Sequence, residues 1–281
     1  MTKTLRAQVV AQVVEEAIPR LAFELPEDVR AALANARLAE TKPSAVTVLD
    51  HLIENERIAR CDQVPICQDT GSVWVALEVG PDVSLGGDIF SEVDAAIARA
   101  YEAAGLRKSL VHDALFDRSN TGDNTPAFCE LYATKKPGAR LHIMLKGGGS
   151  DNASRLLMLP PSAGKSGIIE AVLCCVEEKA ANACAPVIIG VGVGSTFDKV
   201  AGLAKRALLR PVDEHSGDSK LAAFEAQLLE AVNASGVGPG GLGGATTALA
   251  VKVNTAPCHI AALPLAINMG CSAMRRGSYE L

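Results

Sequence analysis

Aromatic residues are scarce in this chain: only 4% of its 281 residues are Phe, Trp or Tyr. The core that such a length supports must be filled by Val, Leu, Ile and Ala, within an overall hydrophobic share of 48%. Basic charge is also short. Lys and Arg number 27 against 32 Asp and Glu, a formal net charge of -5, and no Lys/Arg-rich run stands out. A nucleic-acid surface needs the opposite balance, so no nucleic-acid partner is expected. No apolar stretch approaches the roughly 18 residues of a membrane span. The first 25 residues do not read as a secretory segment either, because Glu15 and Glu16 interrupt what should be an unbroken apolar core. The chain reads as cytoplasmic, with no membrane partner.

Missing, too, is any CxxC pair, although there are eight cysteines, at 61, 67, 129, 174, 175, 184, 258 and 271. Without that spacing there is no zinc knuckle and no ferredoxin-type ligand run. A reducing compartment argues against disulfides. A single cysteine is ordinarily a small buried hydrophobe, so any chemical role must be read from its neighbours.

The pattern is that of a mixed α/β protein. Val9, Val10, Val13, Val14, Ala17, Ile18 and Leu21 form a helical stripe, and Pro43–Ser44 opens a second helix with Val48, Leu49, Leu52 and Ile53 on its core face. A helical section to about residue 60 thus precedes an α/β body over about 61–281, the two forming a single subunit. In the body, 72–80, 186–193, 245–253 and 259–268 read as strands, and 91–105, 166–181, 197–209 and 218–234 as helices. Runs at 128–133 and 141–146, joined by the short KKPGA link, predict an antiparallel pair. DEHSGDS (213–219) reads as a disordered polar linker. The predicted class is α/β, with mixed, partly antiparallel sheets flanked by helices and a helical N-terminal section.

Several segments have more chemistry than packing requires. CDQVPICQDTGSVWV sets Cys67, Gln68 and Asp69 side by side in a loop before a strand, a place for a site as readily as for a turn. AGLRKSLVHDALFDRSNTGDNTPA puts Arg107 just past a helix end, where a cation is favoured in any case and where its guanidinium fork can also meet a carboxylate. KGGGSDNAS (146–154) has three glycines whose backbone N–H groups can converge on an anion, without the P-loop pattern. Gly190, Gly192 and Gly194 are not spaced as G-x-G-x-x-G, so tight strand-to-helix packing is the better reading than a dinucleotide site. ANACAPV surrounds Cys184, and CHIAALPLAINMGCSAMRR holds Cys258, His259 and Cys271.

Together these pieces resemble the class I, iron–sulfur-dependent fumarate hydratases and L-tartrate dehydratases, in the form of the α subunit of the two-subunit enzymes. PICQDTG, LRKS, NTGDNTP, KGGGSDN, NACAP, GLGGATTALAVKV and HIAALPLAINMGCSAMRR follow in the family's order over roughly residues 60–276. The resemblance implies a [4Fe–4S] cluster on Cys67, Cys184 and Cys271, with one iron not ligated by protein and so able to act as a Lewis acid. It implies catalytic roles for Gln68, Asp69, Arg107 and His259 and a substrate-binding role for Gly149, with Gln68 and Arg107 also binding a small dicarboxylate. Fumarate/malate is the expected substrate, with L-tartrate as the alternative. A separate β subunit is expected to complete the site, in an α2β2 assembly. The chain departs from the family at Cys184-Ala185-Pro186, where Cys-Pro-Pro is usual, and at SDN, where SEN is common. A cluster-less regulatory or binding protein on the same scaffold is the reading from another class; a nucleotide enzyme using Gly190–Gly194 is a third.

Overall fold

The computed structural model of the chain describes residues 3–281. In chain order the elements are β1 (Lys3–Leu5), α1 (Ala7–Phe23), α2 (Glu27–Ala39), α3 (Pro43–Asp62), β2 (Ser72–Val79), β3 (Val83–Leu85), α4 (Val93–Ala103), β4 (Phe128–Ala133) and β5 (Ala139–Lys146). They continue with α5 (Gly148–Asn152), β6 (Arg155–Leu159), α6 (Gly164–Lys179), β7 (Val187–Ser195), α7 (Phe197–Ala207), α8 (Ser219–Ala234), β8 (Ala248–Cys258), β9 (Leu263–Gly270) and β10 (Arg275–Glu280). The class is mixed α/β with a helical N-terminal section, as the hydrophobic periodicity predicts. No described helix is long and apolar enough to cross a membrane.

The chain forms two compact units, each discontinuous in sequence. One comprises Met1–Pro26, Glu56–Gly148 and Arg275–Leu281; the other comprises Glu27–Asn55 and Gly149–Met274. The front helices are therefore shared out, α1 to the first unit and α2 to the second.

The first unit is built on a four-stranded sheet in the order β10-β5-β2-β4. Val73, Val75 and Leu77 of β2 alternate onto one face and join Leu141, Ile143 and Leu145 of β5 in a core shared with Val10, Val14 and Ile18 of α1 and Ile97 of α4. Trp74 and Ala76, on the opposite face, are buried as well. A strand buried on both faces belongs inside a sheet, and this corrects the expected hairpin. β4 and β5 do not pair with each other: β2 lies between them, parallel to β4 and antiparallel to β5. The KKPGA link passes across the end of β2, where the Thr134 N–H donates to the Val79 carbonyl at 2.9 Å. β4 takes the edge with Phe128 and Leu131 half exposed.

The second unit repeats the pairing pattern, with order β6-β9-β7-β8, two antiparallel contacts and then a parallel one. Its main core packs Ile168, Val172 and Val176 of α6 and Leu228 and Val232 of α8 against Val187, Ile189 and Val191 of β7. On the other face α7 lies so close to β7 that a Cβ on Gly192 would stand 2.5 Å from the Val200 carbonyl oxygen. A Cβ on Gly190 would run into the Ala204 carbonyl oxygen in the same way. These glycines serve close helix–strand packing, which leaves no room on that face for a nucleotide's phosphates. The polar segment 213–219 is not a loose linker. Lys252, 4% exposed, donates from Nζ to the carbonyls of Val212, at 2.9 Å, and Glu214, and Asp218 caps α8 by accepting from the Lys220 N–H at 2.8 Å.

Candidate active site

The loop between α3 and β2 carries Cys67, Gln68 and Asp69. Its ends are anchored by buried neighbours: the Ile66 N–H donates to the Ala22 carbonyl at 3.0 Å, and Thr70 is 1% exposed. Its carbonyls are held from beneath, one after another. Arg275 Nη2 donates to the Asp69 carbonyl at 2.8 Å, and the Tyr101 hydroxyl lies 3.2 Å from the Thr70 carbonyl and 3.1 Å from that of Gly71. Tyr101 is fully buried on α4, and burial pushes its phenol up to about 12, against the opposing pull of the Arg275 charge. It therefore remains a donor throughout the physiological range.

With its peptide fixed, the Asp69 carboxylate sits among backbone N–H groups. Oδ1 accepts from Gly71 at 3.1 Å, and Oδ2 accepts from Gly148 at 2.8 Å. The glycine segment was expected to gather N–H groups about an anion, and the anion that Gly148 holds here is this protein carboxylate. The segment is also less open than a loop, because Gly148–Asn152 forms a single helical turn.

Arg107 arrives through a helix end. Gly105 terminates α4 with φ +60°, as a helix C′ glycine does, and Leu106, 1% exposed, anchors the chain before Arg107 emerges. Its Nη2 lies 3.6 Å from Asp69 Oδ1, with side-chain exposures of 57% and 28% for Arg107 and Asp69. An ion pair this exposed contributes little to stability; what it offers is a guanidinium fork held near a carboxylate and open to solvent. The two loops are tied together by groups that the sequence reading did not single out. The Thr70 hydroxyl donates to the Arg107 carbonyl, and Asn124, fully buried, accepts from the Ser109 N–H at 2.7 Å and donates to the Gly71 carbonyl at 3.1 Å. Asn124 has φ 66°, a left-handed conformation that Asn tolerates better than most residues. Its place in NTGDNTP was visible in the sequence. Nothing local marks Tyr101 or Arg275.

In the second unit, Cys184 follows the helical turn Ala181–Ala183 and is exposed, with φ 56° and ψ 63°. For a non-glycine residue that conformation costs about 1–2 kcal/mol, and strain of this kind collects at functional positions. The Ser272 N–H donates to the Cys184 carbonyl at 3.1 Å, which draws the half-buried Cys271 alongside. Gly149 is near the same turn: a Cβ on it would stand 3.7 Å from the Asn182 carbonyl oxygen. His259 is exposed in the β8–β9 turn, where Nδ1 accepts from the Ala261 N–H at 3.1 Å, so that Nε2 bears the proton.

Asp69, Arg107 and Gln68 thus come together in one unit with Cys67, and Cys184, Cys271 and Gly149 in the other. Among the described residues no disulfide forms, and no group of three or more His, Cys, Asp or Glu side chains is arranged to hold a metal ion. Thiols are the donors that an iron–sulfur cluster takes. Three thiols, none of them buried, lie on loops, and two of them share a junction with strained backbone at its centre.

A sequence model of the fumarate hydratase (Fumerase) family matches residues 11–280. A Methanocaldococcus jannaschii chain provisionally named L(+)-tartrate dehydratase subunit alpha is 38% identical over 273 residues, 95% of each chain. The L(+)-tartrate dehydratase subunit alpha of Escherichia coli is 30% identical over 96% of this chain and 89% of its own length, and that of Shigella boydii is the same. With a match spanning nearly every residue and carrying each of the segments described above, the chain belongs to the fumarate hydratase family of hydro-lyases.

Proposed function

We propose that the chain is the iron–sulfur α subunit of a hydro-lyase that removes water from a small hydroxy-dicarboxylate, with L(+)-tartrate as substrate and a separate β subunit completing the site. The observation that carries the reading is the solvent-facing Arg107–Asp69 pair at 3.6 Å, in a chain whose relatives are named tartrate dehydratase α subunits. Fumarate was the first expectation from the sequence. The relatives' names favour tartrate, and fumarate hydration remains the second reading because the matching family is that of fumarate hydratase.

In this reading Arg107 takes one substrate carboxylate in its fork, displacing the long contact to Asp69 with a charge-assisted pair. Asp69, fixed by the Gly71 and Gly148 N–H groups, orients the substrate or relays a proton. Gln68 supplies an amide beside it, the backbone at Gly149 offers a neutral donor, and His259 donates from Nε2. Cys67, Cys184 and Cys271 would hold a [4Fe–4S] cluster, which would supply Lewis acidity. The chain's own part is to bind and orient the dicarboxylate.

The test is anaerobic reconstitution with iron and sulfide in the presence of the β subunit, followed by parallel assays of L(+)-tartrate dehydration and fumarate hydration. Uptake of about four irons per chain and faster turnover of tartrate support the proposal. Faster turnover of fumarate moves the second reading to the front. A fully loaded complex inactive on both substrates overturns the enzyme reading in favour of a binding protein on the same scaffold.

A further inference from the structure

We propose that Glu40, remote in sequence from every candidate site residue, is a positioning residue for the Cys184 thiol and acts through the glycine-rich segment 236–245. The inference rests on Cys184 being a cluster ligand, as proposed above, but the geometry that carries it stands within the second unit alone.

Cys184 is exposed and left-handed, so its conformation must be imposed by its flanks. Both flanks lean on the glycine-rich segment. The Gly240 N–H donates to the Ala185 carbonyl at 2.8 Å, and Gly241 approaches Ala181 so closely that a Cβ on it would stand 2.6 Å from the Ala181 Cβ. Ala183 and Ala185, on either side of the thiol, are 1% and 2% exposed. The thiol is thus offered to solvent by a backbone gripped before and after it.

Six of the ten residues in the gripping segment are glycine, and among its side chains Val237 packs against the core and Pro239 is buried. Further fixed points come from elsewhere. The Gly238 N–H donates to Thr247 Oγ1 at 3.0 Å, and Ser44 Oγ donates to the Leu242 carbonyl at 3.3 Å. The strongest fixed point is Glu40, at the junction of α2 and α3 and 6% exposed. Its Oε1 accepts from the Thr41 and Lys42 N–H groups at 3.0 Å each, and its Oε2 accepts from the Ala245 N–H at 2.7 Å. The carboxylate lies against the glycine backbone itself: a Cβ on Gly244 would stand 2.6 Å from Oε2. A buried carboxylate solvated by peptide N–H groups is a rigid staple, because each bond is charge-assisted and the group cannot rotate without losing several at once. Glu40 therefore fixes residues 244–245, these fix 240–241, and these hold the backbone on both sides of Cys184. Groups that orient metal ligands from behind in this way typically change metal affinity or activity by about 10–100-fold when removed.

The experiment compares Glu40→Gln and the milder Ser44→Ala with the parent chain in two measurements. The first is the rate at which a chelator strips iron from the reconstituted complex with the β subunit. The second is the rate at which iodoacetamide labels Cys184 in the metal-free chain at fixed pH, read by peptide mapping against the exposed Cys61 as internal reference. We expect Glu40→Gln to lose iron about 10-fold faster and to change the labelling of Cys184 but not of Cys61, with Ser44→Ala shifting both in the same direction by less. Parent-like rates in both measurements for both variants overturn the proposal. If the parent chain takes up no iron, the cluster reading fails and the labelling measurement alone decides the positioning role. If Glu40→Gln does not fold, Ser44→Ala decides it.

Discussion

Arg275 Nη2 donates to the backbone carbonyl of Asp69 at 2.8 Å, from a side chain only 1% exposed. Arg107, by contrast, meets the carboxylate of the same aspartate at 3.6 Å from a side chain that is 57% exposed. One arginine holds the peptide and the other faces the solvent, so substitution should act on the site by different routes.

For Arg275 two terms compete. Replacing it with Met leaves the Asp69 carbonyl without its donor, a loss of about 1–3 kcal/mol. It also removes a buried cation whose Nε and Nη1 have no hydrogen-bond partner among the described residues, and exchanging buried charge for apolar volume is often neutral or stabilising by about 1–4 kcal/mol. Arg275→Met is expected to melt near or above the parent while turnover by the complex falls more than about 10-fold, as expected when a supporting group behind a site is removed. A large drop in melting temperature would show instead that the guanidinium is a net stabiliser.

At Arg107 no buried charge is at stake. Arg107→Ala should leave stability within about 0.5 kcal/mol and iron content unchanged, yet lower kcat/KM by about 10–100-fold, the worth of a charge-assisted carboxylate contact of about 1.5–3 kcal/mol. Arg107→Lys restores the charge without the fork and should recover only part of the loss. Steady-state kinetics alongside iron determination separate these outcomes, and unchanged kinetics in Arg107→Ala would remove the carboxylate clamp.

Tyr101 makes a prediction about alkaline pH. Burial raises its folded pKa to about 12, above the unfolded value near 10. A raised folded pKa means that the associated stability is fully present below the unfolded pKa and lost as pH rises through the folded one. Unfolding followed across pH 10–12 should show the parent losing stability along an arm that Tyr101→Phe lacks. Near neutral pH, Tyr101→Phe should cost about 1 kcal/mol for the lost hydroxyl bonds. Superimposable alkaline curves would mean that folding does not hold the phenol in its protonated form.

Gly190→Ala tests the packing of the second unit. The added Cβ meets the Ala204 carbonyl oxygen, so overpacking should cost about 1–3 kcal/mol or more, seen as a lower denaturant midpoint. Undiminished stability would reopen the face between β7 and α7 as a place for a ligand.

Much of this was legible in the residues themselves. The stripe of α1, the β2 run and the helix over 218–234 are short-range patterns, set by a period of 3.6 or 2 residues. The motifs placed Asp69 and Arg107 in loops because thiol, amide, carboxylate and guanidinium groups are poor packing material. The β4–β5 hairpin was misread by the same short-range logic. A short link suggests pairing, but the neighbour is chosen by burial, and β2, buried on both faces, was the strand to be enclosed.

Three other supports were not legible from the local sequence. Tyr101 reads as one more core position of a helix, Arg275 as a charge after a cysteine motif, and Glu40 as a surface carboxylate between two helices. Each reaches its distant partner only when segments 30 to 206 positions apart meet. Composition, periodicity and local stereochemistry decide which groups are available and which secondary structure carries them. Which buried donor meets which carbonyl is decided by long-range packing, because a polar group must find its partner wherever the folded backbone leaves one within about 3 Å.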